Sequence, residues 1–94
     1  MESVESVQYT AVTVTVRYFA AAKAAAGVDT ERLDVPVHAS VDDVLAIARD
    51  RHGAELARVL ERCSFLLDEV AVRDRAYAVH AGATLDVLPP FAGG

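Results

Sequence analysis

Residues Ala11 to Phe19 read A-V-T-V-T-V-R-Y-F, and residues Thr84 to Leu88 read T-L-D-V-L. These two stretches decide the fold. In the first, Val12, Val14, Val16 and Tyr18 fall on one face. Thr13, Thr15, Arg17 and Phe19 fall on the other. Period-two alternation of β-branched residues is the pattern of a strand with one buried face. In the second, Leu85 and Val87 share a face, with Asp86 and Leu88 opposite. Pro89-Pro90 then stops the strand, because neither ring nitrogen can donate a ladder hydrogen bond, and favours extended polyproline backbone.

The chain between these strands supplies what a sheet needs to cover itself. Ala20 to Ala26 is alanine-rich and closes at Gly27, which predicts one or two helical turns. Thr30 to Val37 alternates, with Leu33, Val35 and Val37 on one side. Pro36 cannot donate a ladder hydrogen bond, so this is expected as an edge strand or a strand end. Ser40 begins the clearest helix. Asp43 three residues later completes a capping-box pattern, and Val41, Val44, Leu45 and Ala48 form one stripe. Asp42 and Asp43 suit the positive end of its dipole, and Arg49, Arg51 and His52 the negative end. Gly53 ends it, and a short second helix is predicted from Glu55 to Arg62. Ser64 to Leu67 and the alternation from Val70 to Arg73 read as strands. Tyr77 to Val79 adds a short segment, and Ala81-Gly82 a turn.

This order predicts an α+β β-grasp (ubiquitin-like) fold. It has a mixed sheet with parallel first and last strands, covered by a helix and a second short helix. The domain is expected over 11–90, after a disordered polar leader at 1–10 and before a flexible Gly-Gly tail at 91–94. Parallel first and last strands end side by side. Phe19 and Leu88 then lie on the solvent face where the tail leaves, as a candidate partner patch.

Composition narrows the chemistry. The 94 residues carry a net charge of -5, which disfavours nucleic acid and anionic membrane. The leader carries Glu2 and Glu5 and no basic region, and the apolar stretch behind it is broken by threonine and Arg17. It reads as neither signal peptide nor membrane span. One cysteine, Cys63, excludes an internal disulfide and fits the cytoplasm. It is expected as a buried core thiol. His38 and His80 read as surface loop residues, and His52 as a charge complement at a helix end. No cysteine or histidine has metal-ligand spacing, so no metal site is expected. Asp42 and Asp43 are adjacent on a helix and diverge, so they form no catalytic pair.

What remains is the tail, P-P-F-A-G-G. Gly93 and Gly94 lack Cβ, so this end is thin enough to thread a narrow channel. A terminal carboxylate on Gly94 can attack the α-phosphate of ATP to form an acyl adenylate. A sulfur donor can convert that to a thiocarboxylate.

The chain resembles the small subunit of molybdopterin synthase, a ubiquitin-like sulfur-carrier family, from about Val12 to Gly94. The resemblance lies in V-T-V-R-Y-F-A at Val14 to Ala20, in S-V-D-D-V-L at Ser40 to Leu45, and above all in L-P-P-F-A-G-G at Leu88 to Gly94. It implies a carrier that is not an enzyme alone. An E1-like adenylating enzyme spends ATP on Gly94, and a sulfur donor protein makes the thiocarboxylate. The large synthase subunit receives the tail, where sulfur passes to cyclic pyranopterin monophosphate. Gly93 gives steric access, and Phe91, Leu88 and Phe19 form the docking face. No cofactor is held stably. The chain departs from the family at Leu67-Asp68-Glu69, where Asn-Gly is frequent, at Gly82-Ala83, and at Lys23, where arginine is common. A carrier for thiamin or cysteine synthesis, a protein modifier, and an interaction module with an inert tail remain as alternatives.

Overall fold

Alternation from Ala11 produces β1, Ala11–Tyr18, in the computed structural model, which describes residues 10–90. The expected leader, apart from Thr10, and the expected tail at 91–94 lie outside the described residues. β1 stops one residue short of expectation. Phe19 is the N-cap of α1 (Ala20–Ala26), its carbonyl accepting from the N–H groups of Ala22 and Lys23 at 3.0 and 3.3 Å. Ala20 takes φ 51°. That left-handed turn costs a non-glycine residue about 1 kcal/mol and swings the chain from strand to helix. Gly27, at φ 80°, closes α1 by donating its N–H to the Lys23 carbonyl at 2.8 Å.

β2 spans Thr30–Pro36. It ends before the expected Val37, because Pro36 gives way to a turn in which His38 has φ 71°. α2 (Val41–His52) starts at a full capping box. The Asp43 N–H donates to Ser40 Oγ at 3.1 Å, and the Ser40 N–H donates to Asp43 Oδ2 at 2.9 Å. Such a cap stabilises a helix by about 1 kcal/mol. α3 covers Ala54–Leu60. Its expected end at Arg62 is instead a tightened turn, with the Arg62 N–H on the Val59 carbonyl at 3.1 Å.

β3 is Ser64–Leu67, β4 is only Val70–Ala71, and β5 is Thr84–Leu88. The predicted alternation through Arg73 therefore yields two strand residues. The predicted segment at Tyr77 to Val79 is a single bridge between Ala78 and Ser40.

The five strands lie in the order β2-β1-β5-β3-β4. β1 and β5 are parallel at the centre, and the other neighbours are antiparallel. This is the predicted β-grasp. One core cluster joins Val14, Val16, Leu33, Val35, Phe65, Leu85 and Val87 of the sheet to Ala22, Val44, Leu45, Leu56 and Leu60 of the helices. Each fully buried branched side chain contributes about 1.5–3 kcal/mol through removal from water. Among the described residues, the other face of the sheet carries no helix.

Candidate functional site

The parallel pairing of β1 with β5 sets Tyr18 beside Val87, so both strands end together. The Phe19 N–H donates to the Val87 carbonyl at 3.3 Å. On the other side of β5, Ser64 at the start of β3 pairs with Leu88. The chain therefore leaves the sheet for residues 91–94 between Phe19 and Ser64. Phe19 is 39% exposed and Leu88 is half-buried. The Arg17 guanidinium lies 5.8 Å from the centre of the Phe19 ring, which places that ring on the open face. The structure thus brings Phe19 and Leu88 to the tail exit. Phe91, Gly93 and Gly94 lie outside the described residues.

Beside them is a pair that sequence reading missed. Arg17 Nε donates to Asp86 Oδ1 at 2.6 Å, and Nη2 donates to Oδ2 at 2.8 Å. The Asp86 side chain is only 7% exposed, although it projects from the open face. The hydrogen bond to Asp86, then the carboxylate's charge, pushes the Arg17 guanidinium further up from its ordinary value. A signal for this pair was present. Arg17 and Asp86 have opposite charges and sit opposite each other on two strands expected to be parallel neighbours. Leu66 is the partner of Asp86 on β3 and adds apolar cover.

A second polar cluster fastens the same end from the helix side. Glu31 Oε2 accepts the Tyr18 hydroxyl at 2.6 Å and lies 2.7 Å from His52 Nε2. Glu31 Oε1 meets Arg51 at 3.1 Å. Burial, then the hydrogen bond to Glu31, pushes the Tyr18 phenol well above its ordinary value. His52 was expected as a complement to the helix dipole. It does lie in the last turn of α2, and it is also largely buried and ties α2 to β2. Cys63 is half-buried rather than buried. Its Sγ–H donates to the Val59 carbonyl at 3.3 Å, and burial pushes the thiol up, away from nucleophilic use.

The opposite end of the sheet holds the turn that departs from the family pattern. Asp68 and Glu69 have φ 49° and 71°, the positive values that a tight two-residue hairpin demands. Asp68 compensates through its side chain. Oδ1 accepts the Thr84 N–H at 2.9 Å, and Oδ2 lies 2.7 Å from His80 Nε2. A groove of about 530 Å³ lies at this edge, lined by Leu67, Val70, Val72 and Tyr77 among others. It sits beside Asp68 and His80, away from the tail exit.

Among the described residues, no group of three or more His, Cys, Asp or Glu side chains could hold a metal ion. No helix among them is long and apolar enough to cross a membrane.

Residues 16–94 match the model of the ThiS family. No curated protein sequence matches the chain. SAMP1 of Haloferax volcanii has a similar structure, with a TM-score of 0.79 and 29% identity over 87% of this chain and 99% of that one. A Pyrococcus furiosus protein assigned as molybdopterin converting factor subunit 1 is 25% identical, with a TM-score of 0.73 over 85% of this chain and 99% of that one. A complex of subunits 1 and 2 of the Helicobacter pylori molybdopterin-converting factor contains a chain of the same fold. The TM-score there is 0.63 at 22% identity, over 88% of this chain and 100% of that one.

Proposed function

The chain belongs to the ThiS family, and from that premise we propose that it carries sulfur on Gly94 for molybdopterin synthesis. The observation that carries the reading is where β5 ends. The family match runs through Gly94, and the strand that leads to it, β5, ends beside the exposed Phe19 on an uncovered sheet face.

In this reading an E1-like enzyme binds the open face. The Gly94 carboxylate attacks the α-phosphorus of ATP, and pyrophosphate leaves. The persulfide sulfur of a donor protein then attacks the acyl carbon and AMP leaves; a thiol cleaves the resulting acyl disulfide, which leaves the thiocarboxylate on Gly94 and a disulfide on the donor. The absence of side chains at Gly93 and Gly94 lets the acyl carbon enter a narrow channel. The large synthase subunit takes the tail and passes its sulfur to cyclic pyranopterin monophosphate. Two such deliveries complete a dithiolene. Phe19, Leu88 and Phe91 anchor both partners, and Arg17 held by Asp86 gives the face a fixed polar centre. No cofactor stays on the carrier; ATP belongs to the activating enzyme.

Intact-mass measurement after incubation with ATP, an E1-like enzyme and a sulfur source tests this. The expected gain is about 16 Da as sulfur replaces oxygen, absent when Gly94 is deleted. Addition of the large subunit and the pterin substrate should discharge it. No gain, together with full activity after deletion of Gly93 and Gly94, overturns the carrier. A gain that the large subunit does not discharge moves the carrier to thiamin or cysteine synthesis. The likeness to SAMP1, named a small archaeal modifier protein, favours one second reading, a protein modifier. It predicts isopeptide adducts on lysines of other proteins.

A further inference from the structure

Among the described residues, β2 and β4 are the two outer edges of the sheet. β4 has 2 residues, too few to template another strand, whereas β2 has 7. The pairing of β2 with β1 fixes which of its backbone groups are left over. The Tyr18 N–H donates to the Asp29 carbonyl at 2.7 Å, and the Val37 N–H donates to the Thr10 carbonyl at 3.2 Å. Bonded pairs recur at every second residue of an antiparallel ladder. Val16 with Glu31, Val14 with Leu33 and Val12 with Val35 are therefore the bonded pairs. The N–H and C=O groups of Thr30, Arg32 and Asp34 point the other way, out of the edge. Pro36 adds an outward carbonyl but no N–H.

The same residues carry exposed side chains on the open face, while Leu33 and Val35 are buried. Charge and proline usually blunt an edge against other strands. Here they select one partner, the edge itself. Two copies of β2 can pair antiparallel only in registers that set outward residues opposite one another. One such register places Arg32 opposite Asp34, Asp34 opposite Arg32, and Thr30 opposite Pro36. The next register in one direction sets Arg32 against Arg32. The next in the other direction sets Asp34 against Asp34. Opposite charges directly across a strand pair are favourable, and like charges are unfavourable. In the favoured register Pro36 falls at each end. Its carbonyl accepts from Thr30, and its missing N–H costs nothing at the centre.

We propose that β2 is the interface of a symmetric dimer, in which a second copy of this chain pairs its own β2 antiparallel, with Arg32 opposite Asp34. The two-fold axis passes between the two Leu33 residues, so the contact is self-complementary and closes at two copies. Val28 and Val37, each 39% exposed, flank β2 at its opposite ends. Antiparallel pairing brings Val28 of one copy to the same end of the interface as Val37 of the other. β1 stands between β2 and β5, so the dimer leaves the end of β5 free. The contact is a narrow strip beside the roughly 1,200–2,000 Å² of a stable interface, so the dimer is weak and depends on concentration. The net charge of -5 repels two copies at a distance, and about 0.15 M salt screens that repulsion beyond about 8 Å.

Sedimentation equilibrium of the full chain in that salt, from about 10 μM to about 1 mM, should pass from monomer to dimer. Arg32→Asp sets carboxylates against each other, and Asp34→Arg sets guanidinium groups against each other. Each should raise the dissociation constant about tenfold or more, because two symmetric pairs turn from attraction to repulsion. The double variant R32D/D34R should restore the dimer. Amide exchange at Thr30, Arg32 and Asp34 should slow as concentration rises. Exchange at Glu31, Leu33 and Val35, already bonded within each copy, should not change. A monomer throughout, growth beyond two copies, a double variant that stays monomeric, or slowed exchange confined to Val70 and Ala71 on the opposite edge overturns the proposal.

Discussion

The two faces of the central strand pair differ in what holds them. On the helix side, Val16 neighbours Leu85 and Tyr18 neighbours Val87, and all four are buried. On the open side, Thr15 neighbours Thr84 and Arg17 neighbours Asp86, and only Asp86 is buried. The strands and the register are the same, and a single residue of offset separates the faces. The helix face stores stability in apolar area that any branched side chains of the right volume could supply. The open face stores geometry, because Arg17 and Asp86 satisfy each other only at these positions. In the proposed function, the recognition surface sits on the second face, where it can vary without loosening the first.

The largest effect that tests this division is a cavity. Leu85→Ala removes a side chain that is 1% exposed, and it should destabilise the domain by about 2–5 kcal/mol. Thr84→Ala, one residue away on the open face, should stay within about 0.5 kcal/mol. Urea denaturation of both variants checks the contrast. Equal losses would mean that the two faces do not divide stability in this way.

The helix face was legible because burial writes a period of two into the strand. Val14, Val16, Leu33, Val35, Leu85 and Val87 were assigned inward by alternation and are buried, whereas Val12 and Val37, assigned to the same faces, are half-buried and exposed. The same rule failed at Glu31, which shares the inward parity of Leu33 and Val35. An inward carboxylate is tolerated only when paired, and its partners, Tyr18 and His52, come from two other elements. Their convergence is tertiary and leaves no local pattern. Asp86 failed for a related reason, since nothing in T-L-D-V-L marks a carboxylate covered by an arginine 69 residues away. β4 was overestimated because Val72 continues the alternation, and its N–H still bonds to the Phe65 carbonyl at 2.9 Å, but the chain bends at Arg73. Phe19 and Leu88 could be placed at the tail exit once parallel first and last strands were inferred. The chemistry of Phe91, Gly93 and Gly94 rests on their residue types, since they lie outside the described residues.

A smaller effect is expected at the open-face pair. Asp86→Ala removes two charge-assisted hydrogen bonds, and it should cost about 1–2 kcal/mol because the freed guanidinium can turn to water. Arg17→Ala should cost more than Asp86→Ala, since it strands a carboxylate whose side chain is 7% exposed. Thermal unfolding of the two variants checks the order. The reverse order would show that Asp86 is readily hydrated, and the open face would then be a simple solvated surface.

The smallest effect is one of pH at the start of β5, where Asp68 grips Thr84 on the open side. The Thr84 N–H first, then His80, holds the Asp68 carboxyl below its ordinary 3.8. The Ala81 carbonyl first, then Asp68, lifts the His80 imidazole above its ordinary 6.5. A lowered carboxyl contributes stability above pH 3.8 that is lost as pH falls through its folded value. A raised imidazole contributes stability below pH 6.5 that is lost as pH rises through its folded value. The grip is therefore fullest between pH 3.8 and 6.5 and weakens above that window. Amide hydrogen exchange at Thr84, corrected for intrinsic rates, should quicken as pH rises through the His80 titration, while Leu85, one residue inward, should follow the core. His80→Gln should flatten the Thr84 profile in that range. A pH response of the same size at Leu85 would mean that the two faces open as one unit and that the open-side grip has no independent life.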